Sequence, residues 1–436
     1  MLAPLRQLAR QRPLKYLYGA YLPTQANETV QTQRSLTTLA VRPPTEKPAP
    51  WPYKEKGYLT RHWYYEFTNK RLDENSKLIV VEGNIACGKH AVAKEIAKEF
   101  GFHHIPCPSM DKILINMYGS DMRNYYDLLP ERYRFFDLER FYRDPYHINV
   151  AQFFYFMLLL KAECYQNALA HLLNTGQGVV LENSVLSDFV FVEAANRKNC
   201  FSKEFYKHYY TCRDIGEPPL HLWPHLILYL DTPASVCLEN IQKRNIPYEV
   251  NSSILDLEYL KTIEDAYKKK FLVKWDEHCA TAIYDWTVPG DIDVIIEDIE
   301  NMDLGDEYDW HRGDRFESWH YYSNRGLDCI RYEQVYIILI ILMTNRNVTK
   351  FYLVDNFEIG ELLYHPEDAD KAQDVLDEHH WGSYAASWNP DKDGWWNVFG
   401  DWRLFDTTTT LRNKYWAEHD FADIISASFG NNVRRD

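Results

Sequence analysis

The residues best suited to chemistry lie in one short stretch, Gly83-Asn84-Ile85-Ala86-Cys87-Gly88-Lys89. It follows the apolar, β-type run Leu78-Ile79-Val80-Val81 and precedes a helical pattern with Val92, Ile96 and Phe100 on one face. Strand, glycine loop and helix is the setting that gives a G-x-x-x-x-G-K match its meaning. Such a loop turns its backbone N–H groups toward phosphate oxygens at a helix N-terminus. Lys89 adds a point charge toward the outer phosphates. The motif ordinarily continues with a Ser or Thr whose hydroxyl holds Mg²⁺. Here that position is His90, and imidazole is a poor partner for a hard, oxygen-seeking cation.

Other candidates are spread along the chain. Glu182 ends the apolar strand pattern Val179-Val180-Leu181, where a carboxylate would stand beside the phosphate loop and face Mg²⁺. A capped strand-to-helix turn is the plainer reading of the same residue. Asp188 follows on the next turn. Gln152 opens a long helical pattern through Phe156, Leu159, Leu160, Cys164 and Ala168. Its amide offers a donor and an acceptor side by side, which suits a base edge; taken alone it reads better as a polar residue facing water. Lys243 and Arg244 end a helical segment and would form a basic lid over phosphates, or simply a solvated helix end. Cys107 lies in Pro106-Cys107-Pro108, where phosphoryl transfer to a sugar hydroxyl calls for a carboxylate to take the proton. Nothing basic stands near it in sequence to activate a thiol, so it reads as structural.

These residues need a scaffold of strands ending near one another. Strands are expected at Leu78–Val81, Phe102–Ile105, Val179–Leu181, Pro224–Asp231 and Ala282–Trp286, with helices between them from Gln152, over Ile254–Leu272 and over Asp291–Met302. Strands alternating with helices predict an α/β fold, a parallel sheet flanked by helices. Ligands then sit outside the C-terminal ends of the strands.

Composition narrows the function. The formal charge is −15, with no basic footprint for nucleic acid. Eight scattered cysteines form no C-x-x-C pair and the histidines, His379-His380 included, show no metal spacing, so neither a disulfide frame nor a metal site is expected. Residues 1–45 carry six basic residues against Glu28 alone, with Leu2, Leu5, Leu8 and Ala9 beside the arginines. Basic, acid-poor and amphipathic is the pattern of a mitochondrial transit peptide. Residues 46–76, Pro-rich and then mixed in charge, read as a linker or arm. The longest apolar run, Val335–Met343, is too short to cross a bilayer as a helix. Residues 303–436 form a Trp-rich C-terminal extension, with Trp381, Trp388, Trp395, Trp396, Trp402 and Trp416 as docking anchors or a small aromatic core.

Four stretches together resemble the deoxynucleoside kinase family: GNIACGK, FYRDP with Gln152 downstream, VVLENSVLSD, and PHLILYLDTP with the lid segment after it. They place a kinase-like domain at residues 77–302. The resemblance implies a P-loop kinase-like, five-stranded parallel sheet with flanking helices. It also implies an eroded site. The family's phosphate-loop hydroxyl falls at His90, its general-base Glu at Cys107, its phosphate-clamping Arg at Asn183, and the Arg of its Ser-Asp-Arg at Phe189; a further lid position is Ile246. No catalytic residue is therefore assigned. A residual nucleotide site is expected at Gly83, Asn84, Ile85, Ala86, Cys87, Gly88, Lys89, Gln152, Glu182, Asp188 and Arg244. No cofactor is required, and these residues leave room for a bound (deoxy)nucleotide.

The stretches GQGVVLE, SDFVF and EDAYKKKFL are similar to the nucleoside-kinase-like accessory subunits of mitochondrial respiratory complex I. That resemblance implies a non-catalytic subunit, other complex I subunits as partners, and a peripheral position on the matrix side of the inner membrane. An active mitochondrial deoxynucleoside kinase and a nucleotide-sensing module are the alternatives.

Overall fold

The hydrophobic run before the glycine loop forms strand β1 (Leu78–Gly83), whose residues are all buried. Its alternation of faces organises the domain. Leu78 and Val80 enter one apolar core and Ile79 and Val81 the other, and each such side chain, fully buried, contributes about 1.5–3 kcal/mol. The computed structural model describes residues 75–304 except 116–120 and 217–221, together with residues 49, 50, 72, 368, 371, 372 and 375. The expected transit segment, most of the arm, the run Val335–Met343 and the six tryptophans of the extension lie outside the described residues.

The other strands are β2 (His103–Ile105), β3 (Val179–Glu182), β4 (Leu226–Asp231) and β5 (Ala280–Asp285). All pairings are parallel, in the order β2-β3-β1-β4-β5. The expected five-stranded parallel sheet is thus present. Strand order reverses at β1, between β3 and β4, so the glycine loop lies at the switch point where ligands of such sheets bind.

Helix α1 (Lys89–Phe100) buries Val92, Ala93, Ile96, Ala97 and Phe100 in the same core as Ile79, Val81 and Val180. It ends at Gly101, whose φ of 68° lets the cap close on the last carbonyls. Helix α2 (Leu138–Arg143) and the long α3 (Val150–Thr175) belong to the opposite core. Around the sheet follow α4 (Asp188–Arg197), α5 (Lys203–Gly216), α6 (Ala234–Arg244), α7 (Leu257–Ala266) and α8 (Ile292–Glu300).

The helix expected over Ile254–Leu272 differs in detail. Asp256 caps it, accepting from the Tyr259 N–H at 2.8 Å, so α7 starts at Leu257. It then widens into a π-helical turn, Tyr267–Phe271, before a last short turn Leu272–Trp275. Leu304 is buried just past the expected domain end and accepts a hydrogen bond from Lys77, and Ala372 is buried in the larger core. No helix among the described residues is long and apolar enough to cross a membrane.

Candidate functional site

The glycine loop joins β1 to α1. Gly88 takes φ +89° at the helix start, in the left-handed region where a side chain is strained. Gly83 is required for another reason, since a Cβ there would stand 2.7 Å from the Cys87 sulfur. The loop is held from several sides. Buried Asn84 accepts from the Ile85 N–H at 2.8 Å and donates to the Leu260 carbonyl at 3.0 Å. Asn240 of α6 donates to the Ala86 carbonyl at 3.2 Å, and Ala86 itself has φ +60°. Lys89 Nζ donates to the Gly83 and Asn84 carbonyls, at 3.0 and 3.3 Å. The loop's shape is therefore built into the fold.

Under the loop lies a buried polar network that sequence reasoning missed. Glu82, the residue before Gly83, accepts from Ser184 N–H and Oγ, Ser187 Oγ and Tyr267 Oη, at 2.8–3.0 Å. Burial pushes its carboxyl above the ordinary carboxylate range, although the bonds from Ser184 and Ser187 pull the other way. The signal was available: an acid closing an otherwise apolar buried strand must find donors, and Ser184 and Ser187 follow the neighbouring strand.

Asp188 is buried and paired. It is 2% exposed, pairs with Lys161 Nζ of α3 at 2.7 Å and accepts from Tyr209 Oη at 2.5 Å. Burial alone would lower the Lys161 ammonium's pKa, yet the charge of Asp188 carries it above its usual value. Gln152 is buried in the second position after the start of α3, so it does not face water as its isolated reading suggested. Arg244, the expected lid cation, donates through Nη2 and Nε to Glu249 at 2.6 and 3.0 Å. Its guanidinium is thus engaged within the lid segment itself.

Two of the eroded positions meet. Asn183 Nδ2 lies 3.6 Å from the Cys107 sulfur, at the two positions where the resemblance implies an arginine and a carboxylate. An amide facing a half-buried thiol offers neither a guanidinium for a phosphate nor a carboxylate for a hydroxyl proton.

The fold brings together three potential metal donors that are far apart in sequence. His104 on β2 is in register with Val180 of β3, and Glu182 lies two residues on, so His104 and Glu182 share a sheet face. His104 Nε2 lies 2.5 Å from Glu182 Oε1, and His90 Nδ1, from the first turn of α1, lies 2.8 Å from the same oxygen. One ligand atom from each lies within 4.8 Å of the others. Two imidazoles and one carboxylate do not suit Mg²⁺, which takes oxygen ligands in an octahedron.

The family model for deoxynucleoside kinases matches residues 79–319, more than half of the chain. The chain belongs to the deoxynucleoside kinase family. NADH dehydrogenase (ubiquinone) 1 alpha subcomplex subunit 10, mitochondrial, of Mus musculus is 37% identical over 54% of this chain and 64% of its own length. The Bos taurus protein of the same name is 36% identical over 54% of this chain and 67% of its own length. Deoxyguanosine kinase of Dictyostelium discoideum is 27% identical over 54% of this chain and 72% of its own length. The match thus spans about two thirds of the length of each of these NADH dehydrogenase relatives. The chain keeps the glycine loop and the parallel sheet, with His90, Cys107 and Asn183 at the positions where the resemblance implies other residues.

Proposed function

We propose that this protein is a non-catalytic accessory subunit of mitochondrial respiratory complex I, with its kinase fold serving as scaffold. The observation that carries this reading is the contrast in identity over an equal share of the chain, 54%: 36–37% to complex I alpha subcomplex subunit 10 and 27% to a deoxyguanosine kinase. The chemistry of the site supports it. A general base contributes roughly 10²–10⁴ in rate, and one charge-stabilising donor about 10²–10³. Such losses do not simply add, but Cys107 and Asn183 remove both kinds of group and leave little phosphoryl transfer. Binding depends on other parts. The preformed loop and Lys89 keep a place for a (deoxy)nucleotide, held as a structural ligand. On this reading the chain sits peripherally on the matrix side of the inner membrane, through other subunits.

Native electrophoresis of gently solubilised mitochondrial inner membranes tests the proposal. The chain is expected to migrate with the large band that carries NADH dehydrogenase activity. Migration near its own mass in the soluble matrix fraction would sink the assignment.

A further inference from the structure

We propose that His90, His104 and Glu182 form a binding site for a first-row transition metal, Zn²⁺ foremost, at the position where a working kinase of this fold holds Mg²⁺. The site is independent of whether the chain assembles into a larger complex. It rests on the convergence of three side chains from three elements: the first turn of α1, the middle of β2 and the end of β3.

The donor set decides the metal. Imidazole nitrogen and carboxylate oxygen suit Zn²⁺, and two histidines with one glutamate is a recurrent three-ligand set for it. Both histidine nitrogens now crowd one oxygen, Glu182 Oε1, at 2.5 and 2.8 Å. Zinc–ligand bonds of about 2.0–2.1 Å in a tetrahedron set ligands about 3.3 Å apart. Each histidine nitrogen therefore needs to move away from the carboxylate oxygen by less than about 1 Å to admit the ion. To take the ion, each imidazole must present an unprotonated nitrogen toward it, which a neutral ring does by carrying its proton on the other nitrogen.

Burial is graded in a way that suits a bound ion. The Glu182 side chain is 5% exposed, that of His104 19%, and that of His90 65%. The carboxylate and one imidazole are fixed by the sheet, while the second imidazole closes from the rim. Three protein ligands leave a fourth position for water or an oxygen anion such as phosphate. The replacement at position 90 thus changes the metal rather than merely removing one.

The test uses the purified full-length chain, with Zn²⁺ and Co²⁺ as probes in millimolar Mg²⁺. One Zn²⁺ per chain is expected to survive dialysis, and Co²⁺ should give the visible absorption of a four-coordinate ion. X-ray absorption at the zinc edge should show nitrogen and oxygen ligands without sulfur, which separates this site from the free cysteines. His90 is on the surface, so His90→Ser is expected to melt at the wild-type temperature without metal. The variant should bind Zn²⁺ more than about tenfold more weakly and lose its zinc-dependent rise in Tm. His104→Ala and Glu182→Gln should weaken binding likewise. Sulfur ligands, no retained zinc, or equal zinc affinity in wild type and His90→Ser would each overturn the proposal.

Discussion

At the scale of single residues, the pair Lys161–Asp188 and the acid Glu82 carry the buried charge beneath the loop. Breaking a buried pair leaves an uncompensated ion, at a cost of about 3–5 kcal/mol. Asp188→Ala should therefore lower unfolding free energy by about that amount in denaturant titrations. Lys161→Met combined with Asp188→Asn should recover most of it, since no charge is then stranded and Tyr209 keeps an acceptor. Glu82 adds a pH dependence. Its folded-state pKa is raised by burial, so the folded chain holds that proton more tightly than the unfolded chain. Its stabilising contribution is full below the unfolded value of about 4.3 and falls as pH rises toward the raised folded value. Glu82→Gln should flatten stability against pH in that window, measured by chemical denaturation at several pH values. An unchanged slope would mean that Glu82 is not the titrating group.

At the scale of elements, the β1–α1 connection sets the position of everything else. Gly83 has no room for a methyl because the Cys87 sulfur would stand 2.7 Å away. Gly83→Ala should destabilise by about 1–3 kcal/mol, as overpacking does. Adding Cys87→Ala removes the clashing atom and should restore part of the loss in thermal melts. The backbone of Leu230 remains 3.3 Å from that Cβ, so the rescue should be incomplete. Elements of this kind were legible in the sequence, because the apolar run Leu78–Val81 and the spacing of Val92, Ile96 and Phe100 encode burial directly. The start of α7 was less so: Ile254 and Leu255 are buried without being helical, and only the Asp256 cap marks the first turn. The site was legible in part. Loop residues follow one another in the chain, but His104 and Glu182 meet through strand register, which no local pattern reports. The same holds for Glu82 and its serines.

At the scale of the whole molecule, the proposed function separates fold from chemistry. Among the described residues the sheet order and both apolar cores form a kinase-like domain, and the chain belongs to the deoxynucleoside kinase family. Cys107 and Asn183, which touch each other, stand where the resemblance implies groups that move a proton and steady a phosphate. A fold can be kept for its surface after its site has lost a reaction, because packing and catalysis rest on different residues. The most direct test is nucleoside phosphorylation by the purified full-length chain. The four deoxynucleosides would be supplied with ATP and Mg²⁺, and Lys89→Ala run in parallel. Product formation is expected to be no higher in the wild type than in Lys89→Ala. Turnover by the wild type that Lys89→Ala abolishes would contradict that expectation, and would make this chain a working kinase.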